Sequence, residues 1–174
     1  MFRKISVATD GSSPAGKAVE VAADLAAKCG CELTVLHVLL HDDPPEGLRQ
    51  MARIEHLVGS RSRIRVAVDD IPSQMMVTQA DMEQHEEDRQ IVMAIGDKII
   101  GQAEDRARHA GASSVKGEVL EGDYADEIVS AARRNGADLV VLGTRGYGPV
   151  KGLLMGSVSQ KVAQEADCAC LIVR

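Results

Sequence analysis

The chain predicts an α/β fold: a doubly wound, mostly parallel five-stranded sheet with helices on both faces. Three observations predict it. Short runs of branched apolar residues recur along the chain, stretches of helical periodicity separate them, and glycines stand where one kind gives way to the other. Strands that alternate with helices are joined by crossovers, and crossovers make neighbouring strands parallel and bury both sheet faces.

Ile5 to Thr9 (ISVAT) reads as the first strand. The helix after it carries Ala18, Ala22, Leu25, Ala26 and Cys29 on one face, with Ser12 or Ser13 as its cap, Pro14 in its first turn and Gly30 at its end. Leu33 to Leu40 (LTVLHVLL) is the second strand, which completes a βαβ unit. The next region is less regular: prolines, a short polar helical stretch around 48–58, and an alternating run at 63–68 that suits an extra strand. From about Thr78 to Ala110, Met82, Ile91, Ile95, Ile99 and Ala103 recur at helical spacing and predict a long surface helix. Met75, Met76, Met82 and Met93 fit gap-filling core or lid positions.

Val115 to Leu120 (VKGEVL) is the third strand. A helix follows over about Tyr124 to Asn135, with Ile128, Val129 and Ala132 inward and Gly136 as its stop. Ala137 to Leu142 (ADLVVL) is too short and too branched for a free helix and predicts a buried parallel strand ending at Gly143. Ser157 to Ala166 turns Val158, Val162 and Ala166 to one face, and Ala169 to Val173 (ACLIV) closes the sheet.

At 174 residues and 45% apolar composition, one domain with a full core is expected. A formal charge of −6, with Lys and Arg scattered and few aromatic residues, argues against nucleic acid and anionic membrane as partners. The N-terminal residues run straight into a strand pattern, and no apolar stretch spans a bilayer, so a cytoplasmic protein without membrane insertion is expected. The cysteines fall as Cys29-x-Cys31 and Cys168-x-Cys170 at helix-to-strand junctions, which suits reduced, structural thiols better than a zinc site.

The chemistry concentrates after the fourth strand. Gly143-Thr144-Arg145-Gly146, nine further residues, then Gly156-Ser157 place a glycine-rich loop between a buried strand and a helix. Glycines let a phosphate approach main chain without a Cβ in the way, and the first N–H groups of the following helix favour an anion. Gly11 to Ala18 (GSSPAGKA) imitates a P-loop up to its last position, where Ala18 lacks the oxygen that would ligate magnesium. Pro14 also removes an N–H from that loop, so the phosphate cradle is assigned to the later glycines.

Ala8-Thr9-Asp10-Gly11-Ser12, Leu36-His37-Val38, Glu121-Gly122-Asp123 and the G-x2-G-x9-G-S pattern together resemble the universal stress proteins, over about residues 1–40 and 115–174. The resemblance implies a strand order of 3-2-1-4-5 and, in the family's ATP-binding branch, a nucleotide in the crevice between the first and fourth strands. Asp10 would contact the adenosine, main chain near Val38 would read the adenine edge, and Gly143, Gly146, Gly156 and Ser157 would hold the phosphates. Ala8, Thr9, Thr144, Arg145, Val158 and Ser159 complete the candidate site, with Arg145 and Lys151 available to neutralise charge. The implied cofactor is ATP, or AMP or ADP, with magnesium or manganese. With that order the two cysteine pairs stand roughly 14 Å apart at a strand spacing of ~4.8 Å, too far to share one metal.

The expected function is an ATP-binding stress or regulatory protein whose nucleotide state modulates an unidentified protein partner. The resemblance also implies a homodimer through the C-terminal strand. No acid or water-orienting residue is assignable for turnover, so a weak ATPase or phosphotransfer enzyme is the alternative, beside a nucleotide-independent interaction module and a receiver domain. The segment from about 44–76 is longer than the family pattern and reads as an insertion, a lid or an interaction arm.

Overall fold

The computed structural model describes residues 1–39, 79–144 and 155–174, with backbone alone for 79–88. The expected irregular helix, extra strand and insertion between 44 and 76 therefore lie outside the described residues. The chain divides into two compact units, Met1–His41 with Gly96–Arg174, and Asp42–Ile95.

The first unit is built on five strands: β1 (Lys4–Ala8), β2 (Glu32–Val38), β3 (Val115–Leu120), β4 (Leu139–Gly143) and β5 (Ala169–Val173). All pair in parallel, in the order β3-β2-β1-β4-β5. The helices are α1 (Ser13–Cys29), α2 (Gln79–His109), α3 (Tyr124–Asn135) and α4 (Ser157–Glu165). The unit boundary falls within α2, whose described part of the second unit is 79–95.

Strand alternation sends two sets of side chains to opposite faces. Ile5, Val7, Leu33, Val35, Leu139 and Val141 form one core with Ala18, Ala22 and Ala26 of α1 and Ile100, Ala103 and Ala107 of α2. Leu36, Val38, Val140 and Leu142 form the other with Ile128, Val129 and Ala132 of α3 and Val162 of α4. The doubly wound expectation is borne out. The alanines of α1, which lies chiefly over β1 and β4, let the helix come close to the sheet, and the expected faces of α1, α3 and α4 are those that pack. In α2, Ile100, Ala103 and Ala107 carry the packing.

The ends of elements follow local chemistry. Ser12 caps α1 by accepting from the Ala15 N–H at 3.4 Å, and Gly30 closes it at φ 64°. Asp123 caps α3 by accepting from the N–H groups of Ala125 and Asp126, and Gly136 closes it at φ 63°. β4 starts at Leu139 rather than Ala137, because the Ala137 N–H is spent on the Ala132 carbonyl in the helix cap. Asp138 then joins β4 to β1: its N–H donates to the Lys4 carbonyl at 2.8 Å, and its carboxylate accepts from the Arg3 N–H at 2.6 Å.

Candidate functional site

The winding direction reverses between β1 and β4, and the candidate residues gather at the carboxyl ends of these two strands. On the β1 side, Ala8 ends the strand and buried Thr9 still donates its N–H to the Leu36 carbonyl at 2.9 Å. Two short side-chain bonds then turn the chain. Thr9 Oγ1 accepts from the Gly11 N–H at 3.2 Å, and Asp10 Oδ1 accepts from the Ser12 N–H at 2.9 Å. Gly11 sits at φ +80°, the region that favours glycine, and a Cβ there would lie 3.4 Å from the Ile99 side chain of α2. Asp10 is half-buried at the crest of this turn.

Val38 closes β2, opposite Leu120 of β3. Leu36, two residues earlier, gives its carbonyl to β1, so the period of two directs the main chain of Val38 toward the same side, beyond the end of β1.

On the β4 side, Gly143 is in van der Waals contact with the first turn of α1. A Cβ at this position would lie 3.0 Å from the Pro14 carbonyl carbon and 3.2 Å from the Ala15 nitrogen. Its glycine is therefore required by packing. Thr144 donates its N–H to the Val173 carbonyl at 2.8 Å and accepts at its own carbonyl from the Gly156 N–H at 2.7 Å, which ties the two ends of the glycine loop together. Ser159, 7% exposed, donates its hydroxyl to the Gly143 carbonyl at 2.8 Å and seats α4 on the strand end. Gly156 is the cap residue of α4 and has no side chain to offer, so it supplies no side-chain cap to the first N–H groups of that helix. Ser157 is exposed and Val158 half-buried. Arg145, Gly146 and Lys151 lie outside the described residues.

Thr9, Asp10, Val38, Gly143, Thr144, Gly156, Ser157 and Ser159 are thus brought to one end of the sheet. The P-loop imitation forms no phosphate loop there: Gly16 and Lys17 already lie inside α1, and a Cβ on Gly16 would meet the Arg106 guanidinium at 3.4 Å. All four thiols are free, and among the described residues no His, Cys, Asp or Glu group is arranged to hold a metal. Burial pushes the thiols of Cys31, Cys168 and Cys170 upward, which keeps them protonated.

Lys161 on α4 is held 2.6 Å from Asp126 and 3.2 Å from Asp123, and these bonds raise its pKa while Asp123 is lowered, first by the Asp126 N–H and then by Lys161. That cation serves to join α4 to α3. His37 is the residue whose part the sequence reading did not draw out. Buried in β2, its Nδ1 lies 2.9 Å from the Thr9 carbonyl, and burial first of all lowers its pKa. A histidine in the apolar run LTVLHVLL was the available signal.

Comparison with known proteins gives a consistent outcome. The model of the universal stress protein family matches residues 1–174. The chain is 32% identical to the universal stress protein YxiE of Bacillus subtilis (strain 168), with both chains covered in full. Among solved structures it is similar to a universal stress protein crystallised in complex with cAMP, at 25% identity and a TM-score of 0.63, over 99% of this chain and 97% of that one. It also shares the fold of the universal stress protein UspA from Lactobacillus plantarum, at 22% identity and a TM-score of 0.69, over 99% and 98% of the two chains. On the family model and the full-length relative, the chain belongs to the universal stress protein family.

Proposed function

We propose that this protein binds an adenine nucleotide, ATP or else AMP or ADP, between the carboxyl ends of β1 and β4, and that the bound state modulates its contacts with a protein partner. The observation that carries the reading is the start of α4: a helix whose cap residue, Gly156, supplies no side chain to its first N–H groups, at the strand end across from the Asp10 turn. An anion completes such a helix end, and the missing Cβ gives a phosphate access to the main chain. The relative crystallised with cAMP, an adenine nucleotide with a single phosphate, supports this class of ligand.

In this reading Asp10 contacts the adenosine and main chain near Val38 reads the adenine edge, with Ala8 and Thr9 part of the same site. Thr144, Arg145, Gly146, Gly156, Ser157 and Val158 surround the phosphates, and Gly143 and Ser159 hold that framework. A magnesium or manganese ion would be carried by the phosphates, since the described residues form no cage for one. The same reading has the protein act as a homodimer closed through β5.

Calorimetry with ATP tests the site. Gly156 has φ −74° and ψ 156°, which valine adopts readily, so Gly156→Val should fold normally. Its branched side chain would stand where the phosphate approaches, and ATP affinity should fall at least about tenfold. Equal affinity in the variant and the wild type would remove the glycine loop from the site.

A further inference from the structure

We infer that His37 is a positioning residue for the nucleoside half of the site: its imidazole holds the Thr9 carbonyl and thereby fixes where Asp10 leaves β1. The inference rests on the nucleotide reading above and assigns a part of that site to a side chain on the neighbouring strand.

The β1–β2 register ends with Ala8 opposite Leu36. Beyond it, the main chain of Thr9 is held at both ends, its N–H by the Leu36 carbonyl at 2.9 Å and its carbonyl by His37 Nδ1 at 2.9 Å. A carbonyl has no proton to give, so Nδ1 carries the hydrogen and donates it. The Thr9 carbonyl belongs to the peptide that leads into Asp10, and its direction sets the path of the Asp10 main chain. The Ser12 N–H then turns the carboxylate. His37 thus acts one bond away from the residue expected to contact the adenosine.

The ring cannot drift from this place. It is 8% exposed, and α2 closes over it at Gly96, where a Cβ would lie 2.5 Å from Leu39 Cδ2 and 3.3 Å from His37 Cδ2. A glycine at that position lets the helix approach the imidazole directly. Asp10 is also near enough for its charge to favour a protonated ring, against the stronger effect of burial.

The experiment compares wild type, His37→Leu and His37→Asn by calorimetry with AMP and with ATP, and by urea unfolding. Asparagine puts an amide nitrogen near the position of Nδ1, whereas leucine fills the space without a donor. Losing the donor should weaken both nucleotides by the same factor of about tenfold, with the ratio of ATP to AMP affinity unchanged because the phosphate end is untouched. His37→Asn should restore most of that loss.

Wild-type affinity in His37→Leu overturns the inference, as does equal weakening of the two variants, the result that lost packing alone would give. Wild type that binds neither AMP nor ATP overturns the nucleotide reading itself, and this role with it. If His37→Leu does not fold, nitrogen-15 spectroscopy of the wild-type histidines decides: an Nδ1–H tautomer at His37 whose signal shifts on addition of AMP supports the role, and an Nε2–H tautomer or an unmoved signal overturns it.

Discussion

Two buried polar side chains on the inner strands have opposite consequences for stability. Ser6 in β1 is 1% exposed, and its Oγ has no hydrogen-bond partner among the described residues. A buried hydroxyl without a partner costs about 1–3 kcal/mol, against a small loss of packing when one oxygen is removed. Ser6→Ala should therefore match the wild type or exceed it by about 1 kcal/mol in urea unfolding; a clear loss of stability would mean that the hydroxyl is bonded. His37 makes its bond but resists protonation. Its pKa is lowered from the ordinary 6.5, by burial first, with the Thr9 bond and the Asp10 charge acting in the opposite sense. Below 6.5 the unfolded chain takes up a proton that the native ring resists, so the native state binds fewer protons and stability falls as pH drops. The loss should begin near pH 6.5 and level off once the native ring itself is protonated. His37→Asn should flatten that part of the pH profile relative to wild type. Neither property was readable beforehand: the pattern marks Ser6 and His37 as strand residues, whereas their partners are set by tertiary neighbours.

The elements themselves were largely legible. β3, α3 and β5 have the expected bounds, and those of α3 are set by its capping residues Asp123 and Gly136. The capping of α1 was legible for the same reason. Gly143 was legible as a glycine that matters, but for another reason than the one structure adds: its contact with Pro14 and Ala15 draws the first turn of α1 against β4. Gly143→Ala places a Cβ 3.0 Å from main chain, which cannot swing aside as a side-chain tip would. α1 must shift from the strand, at a cost of about 1–3 kcal/mol, the usual range for overpacking. Thermal unfolding should show the decrease, and an unchanged midpoint would mean that α1 slides freely over the strand end. The link from Ser159 to the Gly143 carbonyl escaped the sequence reading, since a serine in the first turn of a helix is expected to face solvent or ligand.

At the scale of the molecule, the two edges of the sheet differ. β3 carries Lys116, 3.0 Å from Glu32, and Glu118, 3.0 Å from Arg134; charged residues of this kind discourage pairing with another chain. β5 is Ala-Cys-Leu-Ile-Val, half-exposed from Cys170 to Val173 and without a charge. The proposed homodimer pairs this strand with its two-fold mate, which covers one edge on each copy and stops at two. Ile172→Pro would remove a ladder N–H and should give monomer or aggregate in light scattering, where the wild type gives a dimer at micromolar concentration. A monomeric wild type, or an undisturbed dimer of the variant, would refute this interface. Fold and strand order were accessible from the alternation of elements and the family resemblance, because both express the chain as a whole. The central position of β1 also bears on synthesis. Ile5 pairs on one side with Leu33 and on the other with Leu139. At about 5–20 residues per second, the ribosome needs on the order of ten seconds after β2 to deliver β4. For that interval the nascent chain holds a half-built sheet with β1 open along one side, which makes this the stage at which a chaperone on the emerging polypeptide protects most.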